Sequence, residues 1–331
     1  MSYGANAKLA IAKQASVGSW VTAAGSYHPF PWTADSVAFG KQELISQNLT
    51  GRFAQGASYA GPGNVAGTID FEATPRNLLT ALGVAVNGSP VEVASASITT
   101  RTFLPNTADF NSSFVKAPFS IYKQFSDANS AELFYDCQFG QLDLNITAGQ
   151  FTTGRLTLAG GSRLANGIGS MSVLPSGNDI AQLWPWNVAS LSVGGVAAQN
   201  FSDVNVSLNE QIQPLYTMNG TLNPFKYTRA AFSEVTIGGT LYMNDRGGLN
   251  DFIADTQRRL LITLINTRTA IQSGYYDQLT IDIPQMKYTA YPLPVNGPGE
   301  VAVSFTARGV LDPSSNYVAQ FTHVSTFAPA F

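Results

Sequence analysis

The chain has 331 residues, of which 12% are charged and 44% hydrophobic, with a formal net charge of −3 and two histidines. A soluble domain ordinarily carries about 25% charged residues, so the solubilising coat is thin, and a mildly acidic chain is not a basic nucleic-acid reader. A single cysteine, Cys137, excludes an intrachain disulfide framework and a cysteine metal cage.

The N-terminus has neither a basic n-region nor a long apolar stretch, and no run reaches the roughly 18 apolar residues of a membrane span. This predicts a protein made and used in the cytosol, or released by lysis. Residues 1–34 read as an arm docked by the cluster His28-Pro-Phe-Pro-Trp32. Asp35 to Leu44 alternates weakly, as a strand does. Ser46 to Gly63 is a Gly/Ser/Gln-rich loop carrying Arg52, Phe53 and Tyr59. Loops of more than about 12 residues in compact domains tend to be functional or ordered by a partner.

Asn64 to Gly83 predicts a strand, a helix start at Thr74-Pro75, and a helix bearing Leu78, Leu79 and Leu82. A Ser/Thr/Asn-rich region, Val84 to Ser113, precedes strands at Phe114 to Phe125 and Glu132 to Phe139. Leu142, Leu144 and Ile146 then alternate with polar residues, and Phe151 to Ala159 returns. This is a hairpin with one wet and one dry face. Gly160 to Asn178 is dense in Gly, Ser and Asn, as a linker is. Val188 to Val196 and Ala198 to Leu208 predict another hairpin across Gly194-Gly195. Asn209 to Phe232 is a second long polar and aromatic loop, with Tyr216, Phe225, Tyr227, Arg229 and Phe232.

Glu234 to Gln257 changes hydrophobic period halfway. Val235, Ile237, Leu241 and Met243 alternate as a strand. Leu249, Phe252 and Ile253 then fall at i, i+3 and i+4 of a short helix capped by Asn244 or Asp245. Gly238-Gly239 marks a bulge or a close backbone approach, expected to come from a neighbouring domain. Further strands are predicted at Arg259 to Thr267, Leu279 to Pro284 and Val301 to Ala307, before an aromatic C-terminal arm.

The strand-then-helix passage of Glu234 to Gln257 matches Asn64 to Gly83, with Gly67-Thr68 in the place of Gly239-Thr240, which predicts an internal duplication. The expected organisation is an N-terminal arm (1–34), a first domain (35–165), a linker (166–186), a second domain (187–311) and a C-terminal arm (312–331). The fold class is mainly β: two tandem β-sandwich or barrel domains, each with one flanking α-helix, plus extended terminal arms and long loops.

The residues offer little for catalysis. His28 and His323 lie in the terminal arms, a poor setting for a rigid triad. Neither GxSxG, HExxH nor a P-loop occurs. Asp70 with Glu72, or Asp143 with Asp282, would supply paired carboxylates, but their alternation with apolar neighbours reads as a solvated sheet face. The loop aromatics suit stacking on bases or sugars, yet the few nearby cations favour burial in a neighbouring subunit. No catalytic residue, cofactor site or metal site is expected.

Several stretches resemble one family. Gly4-Ala-Asn-Ala-Lys-Leu-Ala10, Pro31-Trp-Thr33, Gly67-Thr-Ile-Asp-Phe71 with its Leu-rich helix, and Leu142 to Leu158 together resemble the tail tube (major tail) proteins of long-tailed bacteriophages. So do Val188 to Leu208, Gly239-Thr-Leu-Tyr-Met243, Ile281-Asp-Ile-Pro284, Pro292-Leu-Pro-Val295 and Val301-Ala-Val-Ser-Phe305. The resemblance implies a structural virion protein, in the phage tail and assembled in the host cytoplasm. Its copies would form stacked trimeric, pseudo-hexameric rings around a channel for DNA. Implied partners are further copies, tape-measure, tail-terminator and tip proteins, and phage DNA in transit without specific binding. Candidate channel-lining residues are Asp70, Glu72, Asp143, Asn145, Asn205 and Asp282. Candidate inter-ring or intersubunit contacts are Arg52, Phe53, Tyr59, Tyr216, Phe225, Tyr227, Arg229 and Phe232. The alternative is a β-sandwich module that binds a receptor or carbohydrate.

Overall fold

The computed structural model describes residues 7–46, 58–86, 90–95, 98–105, 117–125, 131–164, 182–218, 220–293 and 300–327, and among these it is mainly β, with two α-helices. The first half contains β1 (Lys8–Lys13), β2 (His28–Pro29), β3 (Ala34–Asp35), β4 (Ala38–Ile45), β5 (Ser58–Glu72), α1 (Pro75–Ala85), β6 (Val91–Ser95), β7 (Ile98–Phe103), β8 (Phe119–Gln124), β9 (Ala131–Thr147) and β10 (Thr153–Arg163). The second half contains β11 (Ala189–Val193), β12 (Val196–Ala198), β13 (Phe201–Asn209), β14 (Ile212–Leu215), β15 (Lys226–Arg229), β16 (Glu234–Tyr242), α2 (Gly247–Ile253), β17 (Arg258–Gln272), β18 (Tyr275–Ala290), β19 (Ala302–Gly309) and β20 (Gln320–Ser325). No helix among the described residues is long and apolar enough to cross a membrane.

A central sheet runs β4–β5–β10–β9–β13–β16–β19–β18, antiparallel at each step. Its register follows from two apolar rows. Ile69, Leu156, Leu142, Leu208 and Val235 stand side by side across five strands. Phe71, Gly154, Leu144, Val206, Ile237, Ala307 and Tyr288 form the next row on the same face. A slip of one residue would turn a strand's apolar set into water, and each large aliphatic side chain buried here contributes about 1.5–3 kcal/mol. The rows belong to one buried cluster that spans both halves.

The pairing plan of the first half recurs in the second. The pairs β1–β2, β1–β8, β4–β5, β5–β10, β8–β9 and β9–β10 correspond to β11–β12, β11–β17, β13–β16, β16–β19, β17–β18 and β18–β19. A helix follows β5 and another follows β16. Two further ladders join the halves. The second part of β9, Gln141–Thr147, pairs with β13, and β20 lies between β18 and β7. Thus β20, in the segment read as a C-terminal arm, and β1 and β2, in the segment read as an N-terminal arm, are all sheet strands.

Several local expectations change. The hairpin across Gly194-Gly195 is the short pair β11–β12. β13 does not return along β11, because Val204, Val206 and Leu208 continue the apolar rows between β9 and β16. The two strands read at Glu132 to Phe139 and Leu142 to Ile146 are one, the 17-residue β9. Val84 to Ser113 holds β6 and β7, and the loop Asn209 to Phe232 holds the β14–β15 hairpin. Residues 165–181, most of the expected linker, lie outside the described residues.

Helix α1 starts as its sequence predicts, with the Thr74 hydroxyl accepting the Asn77 N–H at 3.2 Å and Pro75 first in the helix. Helix α2 starts at Gly247 after Arg246, which makes no side-chain cap, and Asp245 Oδ1 accepts the Gly247 N–H at 2.7 Å. At Gly239 the close approach is real but lies inside the chain. A Cβ there would sit 2.4 Å from the Asp203 carbonyl oxygen, at the irregularity between Phe201 and Asp203 in β13. Gly67 has φ +139°, and its Cβ would meet the Ser36 carbonyl oxygen at 2.5 Å.

Candidate functional site: a polar sheet face shared by both halves

Because side chains alternate along a strand, the face opposite the apolar rows is polar throughout. Asp70, Arg155, Asp143, Ser207, Thr236, Arg308 and Lys287 stand in register across seven strands. Glu72, Thr153, Asn145, Asn205, Gly238 and Thr306 form the row beside it. Five of the residues singled out from sequence, Asp70, Glu72, Asp143, Asn145 and Asn205, therefore share one face. Their neighbours Arg155, Ser207, Thr236, Arg308 and Lys287 were not singled out. Alternation marks such residues as outward-facing, but only the pairing shows which strands lie side by side.

The face is held by its own contacts. Arg155 forms a two-point ion pair with Asp70, Nε to Oδ1 at 2.5 Å and Nη2 to Oδ2 at 3.2 Å, and this bond and charge raise the guanidinium pKa further. Across the joint between the halves, Gln141 Nε2 donates to Asp143 Oδ1 at 2.9 Å and to Ser207 Oγ at 3.1 Å. Asn209 Nδ2 donates back to Gln141 Oε1 at 3.4 Å. At the other side Lys287 pairs with Asp255 at 2.7 Å. Acidic groups thus gather around β5 and β9, and basic groups at β18 and β19, with much of the charge compensated locally. Asp70, Asp143, Asn145, Arg155 and Asn205 line an open depression of about 470 Å³. It is open and polar, unlike the concave, mostly apolar pockets that hold small ligands.

Asp282 lies elsewhere. It sits on the first part of β18, 6% exposed, where Arg259 grips it at 2.7 and 2.9 Å and the Tyr317 hydroxyl donates to it at 2.8 Å. It ties strands together and does not share the polar rows. Among the described residues no group of three His, Cys, Asp or Glu is placed to hold a metal ion.

The loop candidates divide into two kinds. Tyr59 (70% exposed), Phe225 (55%) and Phe232 (95%) project into solvent. Ser58 to Gly63, expected as loop, is the start of β5 and pairs with β4. Tyr216 is partly exposed and donates its hydroxyl to the Gly63 carbonyl at 3.2 Å, and Gly63 N–H donates to the Leu222 carbonyl at 2.9 Å, so the segment between β14 and β15 meets this part of β5. Tyr227 and Arg229 turn inward. Tyr227 packs over Gly160, and burial raises its hydroxyl pKa. Arg229 forms a buried ion pair with Glu210. Arg52 and Phe53 lie outside the described residues.

A doubled β plan and a continuous polar sheet face suit a structural protein. No curated protein matches the chain. Residues 4–309 match the family described as phage tail tube protein, nearly the whole length, and the chain belongs to that family.

Proposed function

We propose that this structural protein of the phage tail polymerises into stacked rings whose joined sheets line a channel for DNA. The observation that carries this reading is the β9–β13 ladder. There the first half hands its sheet to the second without a break in either the apolar or the polar rows. The chain is read as a tandem duplication, with domains at 35–165 and 187–311, and the ladder as the pattern for contacts between copies. β4 pairs with β5 on one side only, and its other edge is open among the described residues. At the far end of the sheet β18 and β19 present the second edge. Open strand edges are templates for pairing, and a head-to-tail contact whose rotation closes makes a ring. A trimer of two-domain chains would give a pseudo-hexameric ring.

In such a ring the polar rows with Asp70, Glu72, Asp143, Asn145 and Asn205 face the channel. Their mixed, locally paired charge suits DNA that must slide, because uncompensated Lys and Arg would bind phosphates strongly. Exposed Tyr59 at the start of β5, and Phe225 and Phe232 on either side of β15, serve contacts between rings. Tape-measure, terminator and tip proteins complete the set of partners, with assembly in the host cytoplasm. Negative-stain microscopy of the purified protein tests the reading. Rings or tubes at high protein concentration are expected, and a persistent monomer would overturn it.

A further inference from the structure

Helices α1 and α2 follow corresponding strands, β5 and β16, yet their surroundings differ. Nine of the eleven residues of α1 are buried, and none of the seven of α2. What encloses α1 comes in part from outside the first half. Trp184 donates its backbone N–H to the Ala73 carbonyl at 3.0 Å beside the helix start, β20 packs along the helix, and the Phe327 ring lies 5.0 Å from the Arg76 guanidinium carbon.

Around α2 the described residues provide no corresponding cover. The helix rests on β18, and Leu249 packs against the core, but Phe252 is 37% and Ile253 72% exposed. Its i, i+3, i+4 apolar stripe is therefore wider than the surface beneath it, whereas a surface helix ordinarily turns that stripe to the core. The described residues after β19 do not return to it, because β20 pairs with β18 and β7, and Phe327 lies on α1.

We infer that the outer face of α2, centred on Phe252 and Ile253, is covered by a second copy of this chain, in the place that the second half takes over α1. The inference rests on the ring reading above: copies joined as the two halves are joined bring the following half of another molecule to α2, as the second half is brought to α1.

Thiol labelling in the full chain tests it, since Cys137, the only cysteine, is fully buried. Ile253→Cys is expected to react with a maleimide in the monomer and to lose that reactivity in assembled tubes. A thiol that stays fully reactive in tubes overturns the inference and leaves the ring reading intact. Wild-type protein that forms no rings overturns the ring reading, and this inference with it. As a second measurement, Ile253→Asp is expected to keep the monomer's circular dichroism and melting temperature while losing rings, and Ile253→Leu to retain them. Ile253→Asp rings formed at the wild-type concentration would also overturn the inference.

Discussion

The two halves of this protein use one pairing plan to build two different surfaces. In the first half α1 packs on β9 and is further covered by β20 and Phe327 of the second, and nine residues of its sequence, PRNLLTALGVA, are buried. In the second half α2 is a short helix, GGLNDFI, lying on β18 with its outer residues in water. The same contrast holds at the glycines that precede the helices. Gly67 combines a positive φ with a clash against the Ser36 backbone, and Gly239 has the clash alone. The shared pairing plan thus supplies a scaffold, and the joint between the halves adds to the cover of α1 but not of α2 among the described residues.

The largest expected effect separates the two helices. Leu82→Ala empties a fully buried position in α1, and large-to-small changes of that kind cost about 2–5 kcal/mol. Phe252→Ala in α2 is expected to cost the isolated chain less than about 1 kcal/mol, as surface changes do. Urea unfolding of the monomer measures both. Equal losses would mean that α2 is as much part of the core as α1, and the contrast between the halves would fail.

A smaller effect is expected at the paired glycines. Gly67→Ala must both strain φ and displace the Ser36 and Val37 backbone, at a cost of about 3 kcal/mol. Gly239→Ala meets the Asp203 carbonyl and the Phe305 ring without a positive φ and is expected to cost about 1–2 kcal/mol. Thermal melts of the two variants give the order. Because the obstruction at Gly239 is intrachain, the loss should appear in the monomer's melting temperature. A Gly239→Ala monomer as stable as wild type but unable to assemble would return that glycine to an intersubunit role.

Much of the architecture was legible in the residues. Period-two alternation gave the strands around Leu142 to Ile146 and Val301 to Ala307, the Thr74-Pro75 start gave α1, and the recurrence of Gly-Thr before a strand and helix pointed to the doubled plan. Polar residues such as Asp70, Asp143 and Asn205 were recognisable as outward-facing for the same reason. The sequence was silent on which strands pair over long separations. β13 was read as the partner of β11, because adjacent segments usually make hairpins, whereas the apolar rows seat it beside β9. Asp282 looked like Asp143 in sequence, an acid between apolar neighbours, yet Arg259 and Tyr317 enclose it. Nothing local distinguishes Tyr227 and Arg229, which turn inward, from Phe225 and Phe232, which do not. Their direction is set by Gly160 on β10 and by the buried Glu210 between β13 and β14, both distant in sequence.

The smallest effect concerns two carboxyls on the corresponding strands β9 and β18. Asp136 is buried but accepts the Gly18 N–H at 2.8 Å. Asp277 is 1% exposed, and its Oδ1 has no hydrogen-bond partner among the described residues. Burial raises the Asp277 pKa to about 6, above the roughly 3.9 of an unfolded aspartate. Between those values the folded state binds more protons than the unfolded one. The stability from this group is therefore fully present below about pH 4 and is lost as pH rises through 6. Asp277→Asn removes that loss and is expected to stabilise the chain by on the order of 1 kcal/mol at pH 8, with the advantage shrinking toward zero near pH 4. His323 acts in the opposite sense, because burial and the Arg101 charge lower its pKa to about 3. Its contribution disappears as pH falls from about 6.5, so the variant should lose stability steadily on acidification where wild type is partly compensated. Melting temperatures of both proteins from pH 8 to pH 4 measure the difference. A gap that stays constant across that range would show that Asp277 is ordinarily solvated, and that the second half buries its carboxyl no less comfortably than the first.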